Sequence, residues 1–201
     1  MAFTHAIALT GSIATGKSTT VSLLQLNGFR VIDADSVAHE QLQTHYEWVA
    51  KQFGAQYVVN TKVDRAKLGA LIFENSRAKQ ELEDFLHPKI YEQIFHESEK
   101  QERFSFPYLI DIPLFFENRR YDIAHSVVVY APFDIQIKRL MKRNHFTYEE
   151  AKRRIQSQWP IDQKRDLATW VIDNSKDLKH LQHEIEAFTA VVTLAHEKGE
   201  I

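Results

Sequence analysis

Residues Gly11 to Ser18 read GSIATGKS, two glycines bracketing four residues, followed at once by a lysine and a serine. This satisfies G-x-x-x-x-G-K-[ST], the pattern of a loop that holds a polyphosphate. Glycines let the chain curl so that the N–H groups of Ser12, Ile13, Ala14, Thr15 and Gly16 turn inward toward phosphate oxygens. A helical pattern begins at Lys17 and continues through Thr19, which adds the positive end of a helix. Lys17 is expected to reach the β- and γ-phosphates. Ser18 is expected to ligate the Mg²⁺ that bridges them.

Other residues supply what phosphoryl transfer needs beyond a cradle. VIDADSVAHE (31–40) places Asp33 at the end of a strand and Asp35 two residues on, at the opening of a helix. A carboxylate there can accept the proton of an attacking hydroxyl. Aspartate is also a favoured helix N-cap, and the pair can divide the two roles. YLIDIPLFFE (108–117) ends an apolar strand in Asp111, where a carboxylate would hold the metal directly or through water. Pro113 has no N–H and stops the ladder, while Glu117 reads as surface charge. Arg139 and Arg143 share one helix face. Thr147 and Glu150 form a capping box that opens a second helix, on which Arg154 and Gln158 again stand one turn apart. Nine Lys or Arg face three Asp or Glu between Lys138 and Arg165. Such a segment suits a lid, in which an arginine stabilises charge on the transferring group. His87-Pro88 interrupts a helical run and reads as a break, with Pro88 in the first turn of a new helix. His180 and His183 share a helix face without a carboxylate cluster, so no zinc site is expected.

The elements that must position these groups alternate. Strand-like segments recur at 6–9, 30–33, 108–113, 126–132 and 169–174, with helical patterns between them. Near-continuous apolar strands indicate burial on both faces, as in a parallel sheet of an α/β fold. Gly28 stands where the first helix should stop. The interval from Ser36 to Phe106 is mostly helical, with QYVVN as its one strand-like patch. Leu178, Leu181, Ile185, Phe188 and Val192 form a core-facing helical stripe. The chain has 201 residues, no cysteine and a net charge of −2, which excludes disulfides and thiolate metal sites and argues against a general nucleic-acid binder. No apolar run approaches a membrane span, and the N-terminus lacks the pattern of a signal peptide. Neither N-K-x-D of a GTPase nor an LSGGQ-like transporter signature occurs. A small-molecule kinase is the leading class, ahead of a nucleotide-binding protein without turnover.

TGSIATGKST, VIDADSVAHE, FLHPKI (85–90), DIPLFFE, RLMKRN (139–144), EEAKRRIQSQ (149–158) and VIDNS (171–175), in that order, resemble dephospho-CoA kinase over almost the whole chain. The resemblance implies a P-loop fold with a parallel five-stranded sheet flanked by helices. The core would span about 1–35, 106–135 and 166–201, with a helical CoA-binding insertion at 36–105 and a lid at 138–165. It implies transfer of the γ-phosphate of ATP, with Mg²⁺, to the ribose 3′-hydroxyl of dephospho-CoA, the last step of CoA biosynthesis. Asp35 would be the base, with Lys17 and Arg143 as catalytic cations. Gly11 through Thr19 and Asn174 would bind ATP. Thr10, Asp33, Asp35, His87, Arg139 and Arg154 would face the acceptor, and Ser18 and Asp111 the metal. Partners would be the two small-molecule substrates, without nucleic acid or membrane. The protein would be cytoplasmic and a monomer or weak homo-oligomer. Departures from the family pattern are local. Ser12, Ala14 and Thr15 replace Gly, Gly and Ser in the loop, so Ala14 calls for an ordinary backbone conformation. Asn144 and Thr169 replace aspartates, and VVNTKVDRAKL lacks a common turn glycine.

Overall fold

The computed structural model describes residues 2–201. They form two compact units, one running to Ile32 and resuming at Ser98–Ile201, the other Asp33–Glu97. The chain begins with β1 (Ala6–Thr10), α1 (Lys17–Leu26) and β2 (Val31–Asp33). The next segment carries α2 (Ala34–Thr44), α3 (Tyr46–Phe53), β3 (Val58–Val59), β4 (Lys62–Val63), α4 (Arg65–Glu74) and α5 (Ser76–Glu102). The remainder is β5 (Tyr108–Asp111), α6 (Phe115–Asn118), β6 (His125–Tyr130), α7 (Phe133–Asn144), α8 (Tyr148–Ile155), α9 (Ile161–Leu167), β7 (Trp170–Asp173) and α10 (Leu178–Glu197).

The first unit is built on a five-stranded sheet in the order β2-β5-β1-β6-β7. β1 pairs in parallel with β5 and β6, and β6 with β7. All five residues of β1 and all four of β5 are buried, as their unbroken apolar runs require of a sheet covered on both faces. The register sets Leu9 opposite Asp111, so Asp111 emerges beside the start of the phosphate loop. α1 ends as Gly28 anticipates. Gly28 is left-handed at φ 92°, its N–H donates to Gln25 O and the Phe29 N–H donates to Leu24 O. This paired closure satisfies two terminal carbonyls, and Leu24 and Phe29 pack into one core. That core also takes Leu181, Ile185, Phe188 and Val192 of α10. Leu178 departs from the expected stripe. It is 56% exposed, at the first residue of α10.

The second unit has its own core of Val49, Val63, Leu68, Leu82 and Leu86, flanked by Trp48 stacked on Phe85 at 3.8 Å. QYVVN holds only the first strand of a hairpin; β4 pairs with it antiparallel. Asn60 and Thr61 turn the chain at φ 50° and 62°, a two-residue left-handed turn made without glycine. The expected break at His87-Pro88 does not occur. α5 continues through Pro88, and the Asp84 carbonyl forgoes its helical N–H. Packing of Leu82, Leu86 and Ile90 on one side of the proline keeps the helix whole.

Candidate active site

The phosphate loop leaves the buried end of β1. Thr10 is fully buried, and its hydroxyl donates to the Pro113 carbonyl, which ties the loop's first residue to the segment after β5. Within the loop, Thr15 N–H and its hydroxyl both donate to Ser12 O. Gly16 precedes α1 at φ 90°, and a Cβ there would stand 2.0 Å from Asn174 Nδ2, so both conformation and space demand glycine. Ala14 overturns the expectation of an ordinary conformation: it sits at φ 63°. An alanine can hold that angle because the loop is fixed on either side of it, by Gln158 at Ile13 and by Asn174 and Arg139 at Thr15. The amides of Gly16, Lys17 and Ser18 open α1 with no preceding turn to receive them, the arrangement that suits an anion.

Lys17 and Asp111 meet. Nζ lies 2.5 and 2.6 Å from the two carboxylate oxygens, and Asp111 is buried at the end of β5. Ser18 is exposed at the first turn of α1. Asn174, buried beyond β7, donates its side-chain amide to Thr15 O at 2.7 Å and receives Arg139 Nη2 on its own carbonyl at 2.8 Å. Arg139 also donates to Thr15 O. Beside them lies a cavity of about 610 Å³, lined by Gly16, Thr19, Arg139, Arg143 and Asn174 and closed on one side by Leu178. The structure therefore brings together Lys17 with Asp111, and Arg139 and Arg143 with Asn174. Arg154 is apart from that cavity and stacks over the Phe146 ring at 4.6 Å. Arg143 Nε donates to Asn144 Oδ1, so the residue at the family's aspartate position still engages the arginine.

α8 opens as predicted. Thr147 Oγ1 accepts from the Glu150 N–H, and Glu150 accepts from the Thr147 N–H. The Thr147 N–H and hydroxyl both donate to Glu150 Oε2 and hold its carboxyl below the usual range, the backbone N–H contributing most. Gln158 departs from the reading that placed it on this helix, since α8 ends at Ile155. The chain turns there, and Gln158 Oε1 accepts from Ser12 Oγ–H at 2.8 Å and from Ile13 N–H at 3.0 Å. Sequence reasoning also missed Lys164. It is 0% exposed, donates to Gly11 O at 2.8 Å and pairs with Glu117 Oε1 at 2.6 Å. Burial pushes its ammonium pKa down, and Glu117 opposes that shift. Glu117 is correspondingly no surface charge; it also accepts the Trp159 N–H. Lys164 belongs to the basic segment, and a count of charges cannot single out the one that is buried.

In the second unit, Asp33 caps α2. Its Oδ1 accepts from the N–H groups of Asp35 and Ser36, and its Oδ2 from the Ser36 hydroxyl. Asp35 lies in the first turn of that helix, and His87 lies in the middle of α5.

The family model for dephospho-CoA kinase matches residues 5–180. A dephospho-CoA kinase of Sulfurimonas denitrificans is 58% identical over 94% of both chains. One from Helicobacter pylori is 41% identical over 94% of this chain and 97% of that one. Among solved structures, a dephospho-CoA kinase from Campylobacter jejuni is 31% identical with a TM-score of 0.75, covering 94% of this chain and 98% of the other. A protein from Thermus thermophilus titled TT1252 is 30% identical with a TM-score of 0.77, covering 93% and 97%. With its phosphate loop, its strand-end aspartate and its arginine-lined cavity set on a parallel sheet, this chain belongs to the dephospho-CoA kinase family, a family of ATP-dependent transferases.

Proposed function

We propose that the protein transfers the γ-phosphoryl group of ATP to the ribose 3′-hydroxyl of dephospho-CoA, giving CoA and ADP as the last step of CoA biosynthesis. The observation that carries this reading is the buried Asp111 carboxylate paired with Lys17 of the phosphate loop. A lysine and a carboxylate beside the loop suit the phosphates of ATP and the metal that accompanies them. The 3′-oxygen attacks the γ-phosphorus while the bond to the β-bridging oxygen breaks, and ADP leaves. Asp35 takes the hydroxyl proton. Asp33 caps α2 through both of its carboxylate oxygens. The amides at the start of α1 and Lys17 hold phosphate oxygens, and Arg143 meets the charge that develops on the transferring group. Asn174 and Arg139 shape the wall of the nucleotide cavity. His87 and Arg154 are assigned to the acceptor side. Thr10 and Arg139, expected there from the resemblance, are reassigned: Thr10 is fully buried with its hydroxyl on the Pro113 carbonyl, and Arg139 bonds to Thr15 O and Asn174 O beside the nucleotide cavity.

Ser18 and Asp111 fit Mg²⁺. Both offer hard oxygen donors, and this ion is commonly held by one or two protein oxygens together with substrate phosphates. Among the described residues no cluster of three or more His, Cys, Asp or Glu offers an all-protein cage. When bound, the ion neutralises phosphate charge. We place the protein in the cytoplasm as a monomer or weak homo-oligomer. No helix of the described residues is long and apolar enough to cross a membrane.

Product mass decides the acceptor. With ATP and Mg²⁺, dephospho-CoA should yield CoA, while adenosine, which carries the same hydroxyl without the pantetheine arm, should yield only traces of its 3′-phosphate. Phosphorylation of shikimate or gluconate, with dephospho-CoA inert, would overturn the assignment.

A further inference from the structure

Three consecutive residues of the phosphate loop are held from outside by one short stretch of chain. Gly11 O receives Lys164 Nζ, and the Ser12 hydroxyl and Ile13 N–H both go to Gln158 Oε1. Gln158 lies just beyond α8 and Lys164 lies in α9. Glu117 joins the two ends by accepting from Lys164 Nζ and from the Trp159 N–H.

A fully buried ammonium is costly unless it is paired and hydrogen-bonded. An apolar residue of similar size would serve packing alone at least as well. Here the ammonium is directed at the carbonyl of the loop's first glycine. Its partner Glu117 neutralises it, so the pair fixes a peptide without adding net charge near the phosphates. Gln158 then takes the next two donors, Ser12 Oγ–H and Ile13 N–H, so the Ile13 amide does not turn toward phosphate, contrary to the expectation from the loop pattern. What remains for an anion is the run of amides at the start of α1. A loop held in that shape before nucleotide arrives loses less conformational freedom on binding it.

We infer that Gln158 and Lys164 are positioning residues for the nucleotide, a brace that sets the phosphate loop from its outer side. This rests on the loop binding ATP. It predicts a split between substrates that a general structural role would not produce. Gln158→Met keeps the volume and removes the acceptor. It should raise the ATP dissociation constant and the ATP KM about tenfold, because a loop no longer held in shape must be ordered when the nucleotide binds. The dephospho-CoA KM should stay at the wild-type value, and the thermal midpoint should fall only modestly, as the loss of two hydrogen bonds requires.

Lys164→Met alone strands Glu117 and is expected to unfold. Lys164→Met combined with Glu117→Gln removes both charges, and the glutamine oxygen still accepts the Trp159 N–H. This double variant should fold and lose ATP affinity at least as strongly, because the bond to Gly11 is charge-assisted. The experiment is calorimetric titration with ATP in the absence of acceptor, followed by steady-state ADP release and thermal melts. Wild-type ATP affinity in Gln158→Met would overturn the inference. So would parallel losses in ATP affinity, dephospho-CoA KM and thermal midpoint. A wild-type chain that binds ATP but leaves dephospho-CoA unphosphorylated would overturn the acceptor assignment instead, and the calorimetric comparison would still decide the brace.

Discussion

Asp33 and Asp35 stand two residues apart at the start of α2. Asp33 accepts three hydrogen bonds at the start of α2. Replacing it with asparagine keeps an oxygen for capping, so Asp33→Asn should retain most activity and most stability. Asp35→Asn should lower kcat by ~10²–10⁴ with little change in ATP affinity, the range for loss of a general base. Single-turnover rates on both variants check this; a large loss in Asp33→Asn alone reverses the roles. Asp173 gives a pH prediction. Burial pushes its carboxyl pKa up, but the Ser175 hydroxyl and N–H together with the His180 ring outweigh burial and hold it below the usual carboxylate range. A carboxyl depressed in the folded state adds stability above its unfolded value, near pH ~4, and that contribution is lost as pH falls through the folded value. The thermal midpoint of Asp173→Asn should therefore fall less than that of wild type on acidification below about pH 4, in melts across that range.

Among the elements, α8 carries its start signal openly. Thr147 and Glu150 are spaced for a capping box, and the structure forms it. Thr147→Ala should cost the helix about 1 kcal/mol and speed amide exchange in its first turn, with the rest of the first unit unchanged. The five sheet strands were legible for the same kind of reason: each is a short apolar run bounded by polar residues, and each lies within two residues of its expected place. Gly28 was legible because a helix end that needs a left-handed residue leaves few choices. Four features were not. Pro88 looked like a break, because a proline in a helix is costly and the packing of Leu82 and Leu86 that offsets the cost is tertiary. Ala14 and Thr61 adopt left-handed angles that their side chains disfavour, held by loop and hairpin contacts that no local pattern displays. Gln158 continued a helical spacing on paper, while a turn redirected it to the phosphate loop. The buried Lys164 has no local signature at all, since its partners are far away in sequence.

Over the whole molecule, hydrophobic burial is divided. The second unit has a core of its own, and Leu68 is 2% exposed within it. Leu68→Ala should destabilise the protein by about 2–5 kcal/mol. If that unit holds the pantetheine arm, the folded fraction of the variant should show a raised dephospho-CoA KM and an unchanged ATP dissociation constant. Paired kinetics and calorimetry at low temperature measure both. The three tryptophans follow the same division. Trp48 is stacked on Phe85, Trp170 packs against Phe188, and Trp159 follows Gln158 directly, with its backbone N–H on Glu117 and its ring against Phe116, Val128 and Ile161. Trp159 therefore gives the protein an optical probe beside the phosphate loop, with no dye attached. Emission on addition of ATP should change in the wild type and in Trp48→Phe, and the change should vanish in Trp159→Phe, so that stopped-flow fluorescence can time nucleotide arrival before any phosphate has moved.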